Sequence, residues 1–397
     1  MRKKTDDLDI LAAAYLCGQQ QTQETIARSL GLSQPVVSRL VLRAKQQGYL
    51  ETRTRFIQDR VGKKDLARIK ARVRPAPLTE ILSRMAAEGS KKPGPVVHVY
   101  PSHSRNTSAA AYRHRLDEFA SACVEDVLEV LGLASVIGVS WGDTVASVID
   151  AMKEAAPSAR SDPRARTAVP LLGEPLGLNI TQHSSSVLAA KLEEALNPGV
   201  EPGQSHTLSL AAVPALIPAD MEEAEIVAIH KLIEKITAYK AIFGTKGPNP
   251  AGVEESVPWI RRIDAVLTST STHERPLGFD DDSLIGAAGV PRAELNDLVI
   301  GDLCGAVIPR PNLDEKAREG VESILRRWTG VKISHLQDCA VRARDGGAPG
   351  VIVLAIGANK APVVYAAVRR GLIQHLFTDQ DLADRLEQIC AASDRTP

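Results

Sequence analysis

The stretch that most constrains this chain is Val136-Ile-Gly-Val-Ser-Trp-Gly-Asp-Thr-Val-Ala-Ser-Val-Ile. A short apolar run breaks at a glycine-bearing turn and resumes with helical spacing, which predicts a strand, a loop of phosphate size and a helix. Gly138 and Gly142 permit a tight turn or a close approach of backbone to ligand. Ser140 and Thr144 supply hydroxyls, and the first amides of the helix have no partner within it. Such a helix start attracts anions. An ordinary strand-to-helix turn accounts for the loop equally well, so the rest of the chain has to decide.

A chain of 397 residues predicts two or more domains with ample apolar content for a core. It contains no uninterrupted apolar run of about 18 residues, and Met1-Arg-Lys-Lys-Thr-Asp-Asp opens no signal peptide, so a cytoplasmic protein with no membrane partner is expected. Cys17, Cys123, Cys304, Cys339 and Cys390 are scattered with no Cys-x-x-Cys pair, the pattern of buried reduced thiols. No metal or other cofactor is expected, and His98 and His103 are read as surface or core histidines. Formal net charge is zero, but residues 1–74 carry 16 Lys and Arg against 7 Asp and Glu. A basic head on an acidic body points to nucleic acid.

The head has the pattern for it. Leu8 to Leu16 suits a first helix, and Thr22-Gln-Glu-Thr-Ile-Ala-Arg-Ser-Leu-Gly-Leu-Ser-Gln-Pro-Val-Val-Ser-Arg-Leu reads as a helix-turn-helix, with small Ala27 at the crossing and Gly31 at the turn. Ser33 caps the second helix and Pro35 is tolerated in its first turn. Val37, Leu40, Val41 and Ala44 recur at core-facing spacing, which leaves Gln34, Ser38, Arg39 and Arg43 outward. Gln, Ser and Arg are the types that read base edges and phosphates in the major groove, so Ser33, Gln34, Pro35, Ser38, Arg39 and Arg43 are the candidate operator-DNA contacts. Tyr49 to Ile57 alternates like a strand and places Arg53 and Arg55 on one side, as a wing over phosphates would.

Residues 1–60 are thus expected to form a winged helix-turn-helix and 61–94 a linker. The linker holds a basic helix with Leu66, Ile69 and Val73 as a dimer seam, Pro75-Ala-Pro, a short helix from Leu78 to Ala87, and Lys91-Lys-Pro-Gly-Pro. Residues 95–397 are expected to be an α/β domain with a Rossmann-like parallel sheet. Its predicted strands include Val96 to Tyr100, Ile263 to Thr268, Val351 to Ile356 and Leu372 to Phe377. The predicted helices are Leu116 to Leu131, whose core face holds Phe119, Cys123, Val127 and Val130, and Pro362 to Arg370. Thr268-Ser-Thr-Ser-Thr-His reads as a hydroxyl-rich turn at a strand's carboxyl end, where ligands bind in open α/β sheets.

Gln23 to Leu50 with Ala27, Gly31, Ser33 and Ser38-Arg39-Leu40 come first in the chain. Gly138-Val-Ser-Trp-Gly-Asp-Thr, Gly301-Asp-Leu-Cys-Gly, and Gly357-Ala-Asn-Lys with Gly371 and Thr378-Asp379 follow. In this order they resemble the SorC-type (SorC/DeoR) bacterial transcriptional regulators over nearly the whole chain. The resemblance implies a homo-oligomer, dimer or tetramer, that controls a carbohydrate or polyol catabolic operon and whose DNA affinity follows a phosphorylated sugar or related polyol. Its effector domain is similar to sugar-phosphate isomerases and deaminases. It implies an effector site at Gly138, Ser140, Trp141, Gly142, Asp143 and Thr144, with Gln182, Asp302 and Lys360. Lysine suits a phosphate as a point charge and a carboxylate accepts sugar hydroxyls.

The sequence departs from the family pattern in three places. Asp143 stands where a neutral hydroxyl residue is usual, Ser186 where Asn is usual, and the Thr268 to Thr272 run replaces a glycine-rich turn. A competing reading is a sugar-phosphate isomerase or deaminase-like enzyme with a DNA-binding head, in which Lys360 forms a Schiff base with an aldose. The basic head weighs against it, and no catalytic residue is assigned. No Asp-x-Gly-x-Thr loop or Walker pattern supports a kinase.

Overall fold

The computed structural model describes residues 10, 12, 23–46, 78, 80–84, 94–100, 109–155, 166–174, 184–197, 208–244, 257–272 and 292–393. The chain divides into two compact units, Met1–Ala67 and Arg68–Pro397. Thr22, the expected wing, the seam residues Leu66, Ile69 and Val73, His103 and Gln182 lie outside the described residues.

In the first unit α1 (Gln23–Leu30) and α2 (Gln34–Gln46) are joined by a three-residue turn. Gly31 takes φ 63°, a left-handed conformation that glycine adopts without penalty, while the Leu32 amide donates to the Ala27 carbonyl at 2.9 Å. Ile26 and Ala27 on α1 meet Val37, Leu40, Val41 and Ala44 on α2, the apolar set that helical spacing predicts.

In the second unit Leu78 and Leu82, helical residues of the expected linker, are fully buried in the core. Next come β1 (Val96–Tyr100), α3 (Ala109–Leu131), β2 (Val136–Val139), α4 (Asp143–Glu154), β3 (Thr167–Pro170) and α5 (Ser185–Leu196). Then follow α6 (Glu223–Ile233), α7 (Thr237–Phe243), β4 (Ala265–Thr268), β5 (Thr270–Thr272), α8 (Arg292–Leu298), β6 (Val299–Leu303) and β7 (Ala306–Pro309). The chain continues with α9 (Glu315–Arg327), α10 (Ile333–Gly346), β8 (Gly350–Ala355), α11 (Ala361–Arg369), β9 (His375–Asp379) and α12 (Gln380–Ser393).

Six strands form a parallel sheet in the order β1-β9-β8-β4-β2-β3. Alternate residues of the central strands enter opposite cores, as the two-residue period of a strand requires. On β8, Val351, Val353 and Ala355 face one core and Ile352, Leu354 and Ile356 extend into the other. A strand covered on both faces has no polar side to show, which is why β8 reads as an unbroken apolar run.

Two expectations change. The hydroxyl run after β4 is not a turn. Thr270–Thr272 pairs antiparallel with Gly301–Leu303 and is buried, within a second sheet ordered β5-β6-β7. Threonine suits a pleated surface, and the hydroxyls are satisfied: Thr270 donates to the Asp302 carbonyl at 2.6 Å and Ser271 to the Asp302 carboxylate. The final strand is His375–Asp379, not Leu372 to Phe377. Gly371 at φ 66° ends α11, and the Leu372 amide turns back to the Ala367 carbonyl at 3.1 Å. Leu372 and Ile373 therefore seal the helix end before the strand begins.

Phe377, fully buried on β9, stacks on His98 at 4.3 Å between centroids. Phe377→Ala is expected to lower stability by ~3–5 kcal/mol through lost burial and a residual cavity, measured as a shift in the urea midpoint of the second unit's transition. A loss below about 1 kcal/mol would contradict this packing.

Candidate functional site

At the carboxyl edge of the parallel sheet the loop after β2 carries Ser140 to Gly142. The Ser140 amide donates to the Leu267 carbonyl of β4 at 3.1 Å and its hydroxyl to the Trp141 carbonyl at 3.1 Å, which fixes the loop on its neighbour. Trp141, only 4% exposed, turns inward and meets Trp328 edge-on at 6.2 Å. Gly142 adopts φ 127°, and a β-carbon there would lie 2.7 Å from Ser269 Oγ. It occupies the N-cap of α4 with no side-chain cap, the kind of helix start that attracts anions. Asp143 is exposed in the first turn and Thr144 is buried behind it.

Gly138 has a different reason to be glycine. It lies inside β2, where a β-carbon would meet Leu171 Cδ1 at 2.7 Å and Ile263 Cδ1 at 3.0 Å. A side chain there would have to displace these core side chains, so the reason for the glycine is packing between layers.

Lys360 closes a single 3-10 turn, Ala358–Lys360, that follows β8 and leads into α11. The residue is partly exposed, yet its ammonium is desolvated enough to push its pKa down to about 8, although the carboxylates of Asp302, Asp379 and Asp143 oppose the shift. Residues from the first turn of α4, from β6 and from the end of β9 therefore act on the one amine that follows β8. Asp302 accepts from the Ser271 hydroxyl and from the Gly305 amide at 3.0 Å. That hairpin depends on Cys304 and Gly305, at φ 56° and 71°, the paired left-handed geometry of a two-residue β-turn. Asp379 accepts from the Gly357 amide at 3.0 Å, the Leu382 amide at 3.1 Å and Arg115 Nη2 at 2.7 Å. Chemically the arrangement offers a cation, open helix amides and carboxylate acceptors, the equipment for an anionic, hydroxylated ligand.

Beside β2 the start of α5 is tied to the same edge. The Ser185 hydroxyl donates to the Val139 carbonyl at 2.6 Å and accepts from the Leu171 amide at 2.9 Å. Glu174 lies just past β3, its carboxyl raised in pKa by burial, with Ser184 and Ser186 holding back part of the rise. Arg115 and Glu174 are not singled out by the sequence, while Asp379 and Ser269 stand in stretches it marks, Thr378-Asp379 and the Thr268 to Thr272 run, without a place in the expected effector set. Asp379 ends an apolar strand, the position where ligands gather in such sheets, and that signal was available. Arg115, on a long helix far away in sequence, gives no local signal. Among the described residues no group of His, Cys, Asp and Glu is arranged to hold a metal ion, and no helix is long and apolar enough to cross a membrane.

In the first unit Ser33, Gln34, Pro35, Ser38, Arg39 and Arg43 are all exposed, opposite the buried face of α2. Arg39 Nε donates to the Pro35 carbonyl at 3.2 Å, which lays the guanidinium along the helix surface.

The sequence matches no family model and no curated protein. Solved structures do match. A DeoR family transcriptional regulator from Listeria monocytogenes aligns at TM-score 0.47 and 16% identity, over 78% of this chain and 99% of that one. A transcriptional regulator from Streptococcus pneumoniae aligns at TM-score 0.47 and 13% identity, over 79% and 98%. The full-length sorbitol operon regulator SorC from Klebsiella pneumoniae aligns at TM-score 0.54 and 19% identity, over 96% of this chain and 99% of that one. At that identity the likeness is one of fold: over nearly its whole length this chain is built as the sorbitol operon regulator SorC is built.

Proposed function

We propose that this protein is a DNA-binding transcriptional regulator of a carbohydrate or polyol catabolic operon, whose operator affinity is set by a phosphorylated sugar or related polyol bound at the carboxyl edge of the parallel sheet. One observation carries the reading: the likeness to SorC extends over 96% of this chain and so takes in both units, the basic head as well as the α/β body. The exposed polar face of α2, rich in Gln, Ser and Arg, supports a role as recognition helix, and the loop Ser140–Thr144 with Lys360 and Asp302 supports an anion site with hydroxyl acceptors. In this reading residues 1–60 form the winged head, 61–94 join it to the body, and 95–397 bind the effector.

One recognition helix reads only a short half-site, so operator-level specificity calls for a homo-oligomer, a dimer or tetramer, presenting paired heads. The effector then acts by binding two conformations unequally, since a ligand shifts an equilibrium only as far as its affinities differ.

Arg39→Ala is expected to weaken binding to an operator selected from random sequence by ~1–3 kcal/mol, with Arg43→Ala acting in the same direction. Fluorescence anisotropy reads the change; unaltered affinity in both variants, with circular dichroism intact, would remove α2 from the groove. Light scattering of the wild type with and without operator should show a dimer or tetramer, and a monomer in both conditions would contradict the paired heads.

Lys360 gives the effector reading a pH signature. An anion favours the charged amine, so binding takes up a proton when the free lysine is neutral; affinity for a sugar phosphate is expected to be full below about pH 8 and to fall as pH rises through it. Lys360→Met should abolish both that dependence and the effector's influence on operator binding, while leaving operator affinity without effector near wild type. Calorimetry across pH checks it: a full response in Lys360→Met places the anion elsewhere.

A further inference from the structure

Glu174 has a fixed backbone and an unsatisfied side chain. Its amide donates to the Val213 carbonyl and its carbonyl accepts from the Ala215 amide, each at 2.7 Å. A β-carbon on Gly173 would fall 2.3 Å from the Val213 oxygen, so the strands here leave no room to shift. Both carboxyl oxygens of Glu174 are buried, and neither has a hydrogen-bond partner within bonding distance among the described residues. Ser184 and Ser186 stand beside the group and hold back part of its pKa rise. Their hydroxyl oxygens accept from the Val187 amide at 3.3 Å and the Leu210 amide at 2.9 Å, which fixes both serines next to the carboxyl. Buried carboxyls are ordinarily hydrogen-bonded, and one that is not marks a place where the partner arrives from outside.

The position fits that partner. The Leu171 amide donates to the Val139 carbonyl at 3.0 Å, which sets the end of β3 beside the end of β2, where the loop Ser140–Thr144 starts. The sheet order β8-β4-β2-β3 then puts Lys360 and Glu174 on opposite sides of that loop. With strands about 4.8 Å apart, the two strand ends lie roughly 14 Å from one another, a span that a lysine side chain, a glutamate side chain and an extended polyol chain fill between them.

We propose that Glu174 is a specificity residue of the effector site, its carboxyl accepting hydroxyl hydrogens from the uncharged end of a polyol or sugar whose phosphate lies toward Lys360. The assignment rests on the effector reading above and adds to it which end of the ligand is read on which side of the loop. A carboxylate at this end accepts from hydroxyls and repels a second anion, so the site favours a monophosphate over a bisphosphate.

The test compares wild type, Glu174→Gln and Glu174→Ala in the full chain, with sorbitol phosphate, fructose phosphate, glucosamine phosphate, unphosphorylated sorbitol and inorganic phosphate as probes. Since burial disfavours the charged carboxylate in the free protein, Glu174→Gln should raise its melting temperature. It should weaken the best sugar-phosphate probe by about tenfold or more, while inorganic phosphate binds as before. Glu174→Ala should lose the same affinity, with operator binding retained as the check on folding. A lower melting temperature in Glu174→Gln makes the carboxyl a structural anchor and overturns the proposal. A wild type that binds a sugar phosphate, with both variants binding it equally well, also overturns it and leaves the effector reading standing. A wild type that binds none of the probes overturns both.

Discussion

The carboxyl edge of this protein depends on how one buried carboxylate, Asp379, is satisfied. It accepts from Gly357 at the turn after β8, from Leu382 at the start of α12 and from Arg115 on α3, which itself reaches Asp381 at 3.0 Å. A buried charge is costly unless fully hydrogen-bonded, so these donors have to stand where they do, and the Gly357–Lys360 turn is held with them. Lys360 thus has its place because the end of β9, α3 and α12 converge on one side chain.

The rest of the edge follows the same logic with different groups. Ser185 clamps Val139 and Leu171, Ser140 clamps the β2 loop to β4, and Asp302 clamps the turn at Gly305. Ser185 and Asp302 use their side chains and Ser140 its own amide to satisfy backbone groups at a strand end, where the ladder stops and polar groups are left over. The Lys360 amine and the Glu174 carboxyl, beside the uncapped Gly142 at the head of α4, are where a ligand has something to gain. Trp141 belongs to the clamps: buried against Trp328, it stiffens the loop from below.

Much of this was legible in the linear chain, and for definite reasons. Period and punctuation alone placed α1, α2, β1, β2 and β8, because their apolar faces repeat at 3.6 or 2 residues or run unbroken through a doubly covered strand. Gly31 and Gly142 were readable as backbone devices and hold left-handed φ values. Gly138 looked like the same device and is not; its reason is the approach of Leu171 and Ile263, which no local pattern records. The Thr268 to Thr272 run looked like a turn because hydroxyl residues cluster in turns, yet its partner strand, thirty residues later, makes Thr270–Thr272 a buried strand.

By itself, then, the sequence determined the classes of element, the basic head with its outward polar helix face, and the glycine-bearing loop followed by a helix start, because these depend on neighbours within a few residues. Only the tertiary structure decided that Asp143, Asp302 and Asp379 share one amine, that Arg115 holds Asp379, and that Glu174 is left with both oxygens buried beside Ser184 and Ser186. Desolvation and ion pairing are set by what the fold brings within a few ångströms, and here those groups come from segments up to 264 positions apart in the chain.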